Sequence, residues 1–242
     1  MKTRADLLLV ERGLFESRAK AREAIEAGLV SANGAAVRKA SDTIAHNAKI
    51  EAKAPYPWVS RGGLKLVAGL DHFSIDPTGL TCLDVGASTG GFTHVLLARG
   101  AAKIFAVDVG QDQLHASLRG DLRVTSLEKT DARELDAQII PQQPQLIVCD
   151  ASFISLKLVL PRALELAAPA AKLIALIKPQ FEAGRAAVKK GIVKDPAIHA
   201  AVCAEIEAWL STSRWNVLGM IASPITGGDG NVEFLIGAEK TR

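Results

Sequence analysis

The sequence predicts an α/β protein with a mostly parallel sheet, helices on both faces and a small α+β domain in front of it. Two observations support the sheet and the small domain. After Leu80, short apolar strands alternate with helical stretches, which is typical of strand–helix units. The first sixty residues instead hold two short helical patterns and a tight-turn signal. The length of 242 residues fits one medium and one small domain.

Composition excludes several classes of protein. The longest uninterrupted apolar run is five residues, far below the roughly 20 that a membrane-spanning helix needs. The first residues lack the apolar stretch of a secretory signal. The cysteines at 82, 149 and 203 are too widely spaced for a disulfide scaffold or a zinc-binding pair. We therefore expect a cytoplasmic protein with reduced thiols, no membrane insertion and no metal.

The basic charge is concentrated near the N-terminus. The net charge is +3, and residues 1–60 hold ten Lys and Arg against seven acidic residues. Residues 61–242 hold 19 of each sign. A basic module beside a neutral body favours an appendage that binds a polyanion, although an excess of this size alone is also ordinary variation.

The N-terminal module is predicted to contain two helices and a small sheet. The helices are expected at 5–12 and 18–27, the second capped by Ser17. Asn33-Gly34 predicts a tight hairpin turn between two strands. On the second helix, basic side chains lie four residues apart and so share one face, which leaves them available to a phosphate backbone.

About ten positions of this module match an RNA-binding pattern in order: Arg4-x-Asp6-Leu7, Gly13, Ser17-Arg18-x-x-Ala21, Ile25, Gly28-x-Val30 and Asn33-Gly34. The module therefore resembles the alpha-L RNA-binding motif of a small-subunit ribosomal protein, pseudouridine synthases and tyrosyl-tRNA synthetases. The resemblance implies binding of structured RNA through the second helix and the hairpin. The RNA-binding residues that we expect are Arg4, Arg18, Lys20, Arg22 and Arg61.

The larger body is predicted to follow a short linker. We expect domains at 1–54 and 62–242, with a linker at 55–61 that two prolines stiffen. The last two predicted strands, 215–221 and 232–238, have a glycine-rich loop and no helix between them. This pattern predicts an antiparallel strand pair at the end of the sheet.

A glycine-rich turn follows the first strand of the body and indicates a ligand site. The turn comprises Gly86, Ala87, Ser88, Thr89, Gly90, Gly91 and Phe92. Glycines between a strand and a helix let a ligand approach the backbone closely. The spacing is not the dinucleotide pattern, and the carboxylate of Asp84 just before the turn would repel a pyrophosphate. That carboxylate favours the sulfonium and ammonium groups of S-adenosylmethionine.

Acidic and basic residues end the following strands. Asp108, with Val109 beside it, is suited to holding ribose hydroxyls, and Asp131 to accepting from an adenine amino group. Asp150 and Lys178 end the fourth and fifth strands, so they should converge on the methyl donor. The Asn/Asp-Pro-Pro-aromatic run frequent in amino methyltransferases is absent, which favours a hydroxyl acceptor.

Further runs match a known family over essentially residues 1–240: 60–66, 86–92, 150–155, 178–182, 191–196, 223–225 and 230–233. The body resembles the FtsJ-like ribose methyltransferases, which have a Rossmann-like class I methyltransferase sheet, and the whole chain resembles the TlyA family, also labelled hemolysin A. The resemblance implies transfer of a methyl group to a ribose 2′-hydroxyl, in the family a cytidine, of ribosomal RNA or ribosomal subunits. The family's tetrad maps onto Lys65, Asp150, Lys178 and Glu233. Family members often carry Asn at the position of Asp131.

The expected mechanism centres on Lys178 as base or activator of the hydroxyl. As a base it must be neutral, which burial and the cation Lys65 favour and the carboxylate Asp150 opposes. Asp150 would orient Lys178, and Glu233 would hold Lys65. Three alternatives remain open: a non-catalytic RNA-binding protein, a membrane-active hemolysin-like protein, and a methyltransferase acting on a protein or small molecule.

Overall fold

The computed structural model describes residues 2–184 and 187–241, without the side chain of Asp229. The chain divides into two compact units, Met1–Pro57 and Trp58–Arg242. The first unit contains β1 (Lys2–Arg4), α1 (Ala5–Glu11), α2 (Arg18–Glu26), β2 (Val30–Ala32), β3 (Ala35–Ala36), β4 (Thr43–Ala45) and β5 (Ile50–Ala52).

The second unit alternates strands and helices. Its elements are α3 (Gly62–His72), β6 (Thr81–Val85), α4 (Gly91–Ala98), β7 (Lys103–Val107), α5 (Ala116–Arg119), β8 (Val124–Leu127), β9 (Leu146–Cys149), α6 (Leu156–Val159), α7 (Pro161–Leu166), β10 (Lys172–Ile177), α8 (Pro179–Glu182), α9 (Pro196–Thr212), β11 (Trp215–Ala222) and β12 (Phe234–Lys240).

The N-terminal unit follows its local sequence signals. The Ser17 hydroxyl accepts a hydrogen bond from the Lys20 amide at 3.3 Å, so it caps α2 as predicted. Asn33 and Gly34 both adopt left-handed backbone conformations, as a two-residue hairpin turn requires, and they join β2 to β3. Strand β1, which pairs with β4, was not predicted because three polar-rich residues carry no strand pattern.

The body contains one seven-stranded sheet in the order β11-β12-β10-β9-β6-β7-β8. Strands β8, β7, β6, β9 and β10 are parallel, whereas β12 is antiparallel to both of its neighbours. The predicted α/β class with an antiparallel final strand is confirmed. The final strand lies inside the sheet, however, because β11 pairs with its outer side and takes the edge.

Both faces of the sheet are covered, as predicted. Alternate strand residues point to opposite faces, so Leu83 belongs to one apolar core and Cys82 to the other. Helices α6, α7 and α9 cover the first face, and α3 and α4 cover the second. Of the helices in the described residues, none is both long enough and apolar enough to cross a membrane.

Candidate active site

Two adjoining cavities open where the parallel strands of the body end. Their volumes are about 400 and 450 Å³. The first, here the tetrad cavity, contains the ends of α3, β9 and β10, and the second, the strand-end cavity, runs along the ends of β6, β7 and β8. Five residues line both: Gly86, Ser88, Asp150, Ser152 and Phe153. Carboxyl ends of parallel strands are the usual ligand site of such sheets.

The glycine-rich turn forms the wall between the two cavities. Gly86 has φ +80°, and a Cβ there would fall 2.8 Å from the Cα of Ala151, so only glycine fits between the two strand ends. Ser88 also has a positive φ of 47°, and its amide donates to the Asp108 carboxylate at the end of β7. Of the seven predicted turn residues, all except Gly90 line a cavity.

Asp84 does not reach either cavity, in contrast to its expected place beside the ligand. Its side chain is completely buried, and its Oδ2 accepts a hydrogen bond from the Thr93 hydroxyl at 2.6 Å. Burial raises the pKa of Asp84 to about 7, since no cation contacts the carboxyl group among the described residues. The hydrogen bond between Asp84 and Thr93 therefore links β6 to α4, the strand and the helix on either side of the glycine-rich turn.

Asp108 lies in the strand-end cavity at the end of β7. Its carboxylate accepts hydrogen bonds from the amides of Ser88 at 2.8 Å and Gly110 at 2.7 Å. Each oxygen retains a further lone pair for a ligand hydroxyl. Val109 lines the same cavity and is 71% exposed, which leaves an apolar surface available to a planar ring.

Asp131 lines the strand-end cavity but is already paired. Its carboxylate accepts several hydrogen bonds from the Arg133 guanidinium, at 2.6–3.0 Å, and one from the Arg133 amide at 2.9 Å. These bonds hold the pKa of Asp131 below its usual value. An adenine amino group would have to share this carboxylate with Arg133.

The four residues of the predicted tetrad come together in the tetrad cavity as a chain of alternating charges. Lys65 Nζ lies 2.5 Å from Glu233 Oε2 and 4.0 Å from Asp150 Oδ2, and Lys178 Nζ lies 2.7 Å from Asp150 Oδ1. The sequence separation between Lys65 and Glu233 is 168 residues. The chain is formally neutral, which reduces the cost of burying four ionised groups.

Burial differs along this chain. The side chains of Lys65 and Glu233 are only 7% and 2% exposed, whereas that of Asp150 is 21% exposed. Gly227 packs so closely on the Glu233 carboxylate that a Cβ there would overlap it. Gly227 thus restricts the position of Glu233. Lys178 is 9% exposed, so Asp150 is the member of the chain most exposed to the cavity.

Lys178 is held by one ion pair and two hydrogen bonds. Besides the ion pair with Asp150, its Nζ donates hydrogen bonds to the Asp150 carbonyl oxygen at 3.2 Å and the Ser152 hydroxyl at 2.9 Å. Asp150 Oδ1 accepts no hydrogen bond among the described residues, so two of the three ammonium protons have acceptors. Lys178 Nζ and Asp150 Oδ1 thus both retain hydrogen-bonding capacity for a substrate hydroxyl.

Sequence reasoning missed two residues that hold the ends of β9 and β10 together. Ser152 accepts from Lys178, and Glu182 accepts from the Ser155 hydroxyl at 2.5 Å and the Leu156 amide at 2.8 Å. Burial raises the pKa of Glu182. The sequence signal that could have marked Glu182 is its position four residues after Lys178, at the junction of β10 and α8.

An aromatic pair lies at the same junction. Phe153 is 90% exposed, has a positive φ of 65°, and its ring centroid lies 5.0 Å from that of Phe181. A large aromatic residue in the left-handed region costs free energy, so the surrounding loop must hold it there. No sequence pattern predicts this exposure.

The predicted RNA-binding residues are in different environments. Arg4 and Arg18 both donate to the buried carboxylate of Asp6, Lys20 pairs with Glu16, and Arg22 is exposed on α2. Arg61 lines the tetrad cavity beside the first turn of α3. The exposed face shared by Arg18 and Arg22 is therefore partly engaged within its own unit, by Asp6.

Family models match both units. Residues 58–240 match the FtsJ-like methyltransferase model, and residues 3–50 match the S4 domain model.

Individual proteins match along nearly the full chain. The 16S/23S rRNA (cytidine-2′-O)-methyltransferase TlyA of Mycobacterium tuberculosis is 45% identical over 97% of this chain and 89% of its own length. Hemolysin A of Brachyspira hyodysenteriae is 37% identical over 96% of this chain and 98% of its own length. A solved Streptococcus thermophilus structure, described as a hemolysin, has a TM-score of 0.79 at 40% identity and covers 99% of this chain and 89% of its own.

Proposed function

The chain belongs to the TlyA family of FtsJ-like methyltransferases, and on that premise we propose that it methylates a ribose 2′-hydroxyl of ribosomal RNA with S-adenosylmethionine. The observation that carries the proposal is the charge chain ending at Lys178 in a cavity that adjoins a second cavity of similar size. The Mycobacterium tuberculosis relative is a cytidine-2′-O-methyltransferase, which supports cytidine as the target nucleoside.

The strand-end cavity fits the nucleoside half of the methyl donor. Asp108 offers carboxylate lone pairs to ribose hydroxyls, and the exposed side chain of Val109 offers an apolar surface to adenine. Gly86 and Ser88 line both cavities, so the rest of the molecule can extend along the glycine-rich turn toward the tetrad cavity. When bound, S-adenosylmethionine supplies an electrophilic methyl group.

Lys178 holds the acceptor hydroxyl and takes up its proton at Nζ. This role requires that the Lys178 ammonium first release a proton to solvent, because an ammonium can only donate and the neutral amine can accept. Asp150 orients Nζ toward the cavity, and Lys65, held by Glu233, balances the charge of Asp150. Alignment of the hydroxyl by this chain provides a further part of the rate acceleration.

The N-terminal unit supplies RNA recognition in this proposal. We assign this role to a domain at 1–54, with a linker at 55–61 and the methyltransferase domain at 62–242. The match to the S4 model and the exposed basic side chain of Arg22 on α2 support the assignment. A substrate of this kind places the protein in the cytoplasm, where ribosomal subunits are.

The test is transfer of labelled methyl from S-adenosylmethionine to ribosomal subunits that lack the modification. We expect label in RNA, as one ribose that resists alkaline cleavage. Lys178→Ala should reduce transfer by about 10²–10⁴-fold and leave binding of S-adenosylmethionine intact, because it removes the group that takes the proton. Lys172→Ala, at the other end of β10, is the matched control.

Several outcomes would contradict the proposal. Equal transfer by the wild-type and Lys178→Ala proteins would remove Lys178 from the mechanism. Label in protein or in a small molecule would assign a different acceptor. No label despite bound S-adenosylmethionine, together with leakage of lipid vesicles by the RNA-free protein, would favour the membrane-active alternative.

A further inference from the structure

A tight turn lies at the rim of the tetrad cavity, in the segment between α8 and α9. The amide of Lys189 donates to the carbonyl of Ile192 at 3.0 Å, and the amide of Ile192 donates back at 3.1 Å. Lys190 and Gly191 occupy the two central positions, with φ of 52° and 78°. This is the geometry of a two-residue hairpin turn with both central residues left-handed.

The turn is fixed to the active site by one buried side chain. Asn231 is 4% exposed, and its amide group donates to the carbonyl oxygens of Gly191 at 3.0 Å and Gly228 at 3.1 Å. Its Oδ1 accepts from the Val193 amide at 3.3 Å. Gly191, Gly228 and Asn231 all line the tetrad cavity. The turn is therefore a built part of the cavity rim.

The turn presents positive charge without a counter-charge. Lys189 and Lys190 are exposed, and neither has an ion-pair partner among residues 2–184 and 187–241. Lys194 follows on the same segment, and residues 183–194 contain no acidic residue. The flanking acids are engaged elsewhere: Glu182 accepts from Ser155 and Leu156, and Asp195 caps α9. In a body with equal numbers of basic and acidic residues, this is a local excess beside the cavity.

Lys190 is also in an unfavourable place for a lysine. The first central position of such a turn favours Asn, Asp or Gly, since other side chains are strained at positive φ. Strain of this kind points to a function when it occurs beside an active site. The left-handed backbone directs the Lys190 side chain away from the chain reversal and into solvent, where it is exposed.

We propose that Lys189 and Lys190 bind phosphate groups of the RNA backbone next to the nucleotide that enters the tetrad cavity. The inference rests on the proposed function, because it identifies how the same site holds its polyanionic substrate. Lysine ammonium groups on a fixed turn suit phosphate contacts, which position RNA without reading its sequence. The turn would thus set the register of the strand relative to Lys178.

The test uses the full-length protein and measures binding of unmodified 16S and 23S rRNA transcripts as a function of KCl concentration. The variant is Lys189→Gln with Lys190→Asn, because asparagine tolerates the left-handed conformation and isolates the loss of charge. We expect RNA affinity near 0.1 M salt to fall by about tenfold or more, and the slope of log affinity against log salt to fall by about 1.5.

Two further variants make the result specific. Lys103→Gln with Lys172→Gln removes the same charge at the opposite end of the sheet and should bind RNA like the wild type. Lys189→Arg with Lys190→Arg keeps the charge and should retain the affinity and the salt slope. Binding of S-adenosylmethionine should be the same in all of these proteins.

Wild-type RNA affinity and salt slope in the Lys189→Gln/Lys190→Asn protein would overturn the inference while leaving methyl transfer intact. Loss of S-adenosylmethionine binding in that protein would overturn it too, because the turn would then only shape the cavity. Because RNA binding is measured directly, failure of methyl transfer by the wild-type protein would contradict the proposed function without deciding this result.

Discussion

Asp6 in the N-terminal unit and Asp84 in the body are both completely shielded from solvent, yet their pKa values move in opposite directions. Hydrogen bonds from Arg4, opposed by burial and reinforced by Arg18, lower the pKa of Asp6 to about 2. Burial with only the Thr93 hydroxyl as a side-chain donor raises that of Asp84 to about 7. The arginines beside Asp6 and the greater depth of Asp84 in the protein both contribute to this difference.

The charge chain in the tetrad cavity combines the two situations. Asp150 is paired with Lys178 and lies 4.0 Å from Lys65, as Asp6 is paired with two arginines, but the chain faces a cavity. The cations around Asp6 extend into solvent, with about half of each side chain exposed. Paired buried charges stabilise the fold where they face protein, and they remain accessible to a ligand where a cavity reaches them.

The largest expected effect comes from disturbing the charge chain at its buried end. Gly227→Ala would place a methyl group on the Glu233 carboxylate, which must then move away from Lys65. We expect the rate of methyl transfer to fall by about 10²-fold, because small misplacements of a catalytic array cost this much. Gly120→Ala, whose Cβ meets only the Ala116 carbonyl at 3.8 Å, is the control. Equal rates in both variants would mean that Glu233 does not position Lys65.

The next effect concerns how the free energy of unfolding of the body depends on pH. A buried carboxyl group with a raised pKa favours the protonated folded state, so its contribution to the free energy of unfolding falls as pH rises above about 4. From a folded pKa of about 7, that contribution should be about 2–3 kcal/mol lower at pH 8 than at pH 5. Asp84→Asn should remove this part of the pH dependence.

Tryptophan fluorescence measures this prediction selectively, since all three tryptophans lie in the body, at 58, 209 and 215. Denaturant unfolding at pH 5 and pH 8 gives the two free energies for each protein. Asp76→Asn is the control, because the pKa of Asp76 is lowered and its carboxyl group is ionised throughout this range. The same pH dependence in wild type and Asp84→Asn would show that Asp84 is ionised in the folded body.

The smallest expected effect comes from Asp6. Asp6→Ala leaves two arginines that water can solvate. We therefore expect the free energy of unfolding of the N-terminal unit to fall by about 1–2 kcal/mol. In the wild type, the contribution of Asp6 to the free energy of unfolding should be complete above about pH 4 and disappear as pH falls through about 2. This pH dependence has the opposite direction to that of Asp84. Hydrogen exchange of the α1 and α2 amides measures it. Unchanged protection in these helices would contradict the stabilising role.

Local sequence signals were sufficient for much of the fold. Their structures could be predicted because each signal forms its turn or cap with residues nearby in the sequence: Ser17, Asn33-Gly34 and the glycine-rich turn. The strand ends that carry Asp108, Asp150 and Lys178 followed from apolar runs and from the shared polarity of parallel strands. The family resemblance added Lys65 and Glu233, which no local pattern marks.

The α/β class, the alternation of strands and helices in the body and the polar residues at the strand ends could be predicted from the sequence, because they depend on short-range conformational preferences and on the apolar pattern along each strand. Which of these residues face a cavity depends on the packing of the whole body. The insertion of β12 beside β10 brought Glu233 to Lys65, and the packing of α4 on the sheet buried Asp84 against Thr93. These outcomes depend on burial and on contacts between separate elements, which no single strand or turn specifies.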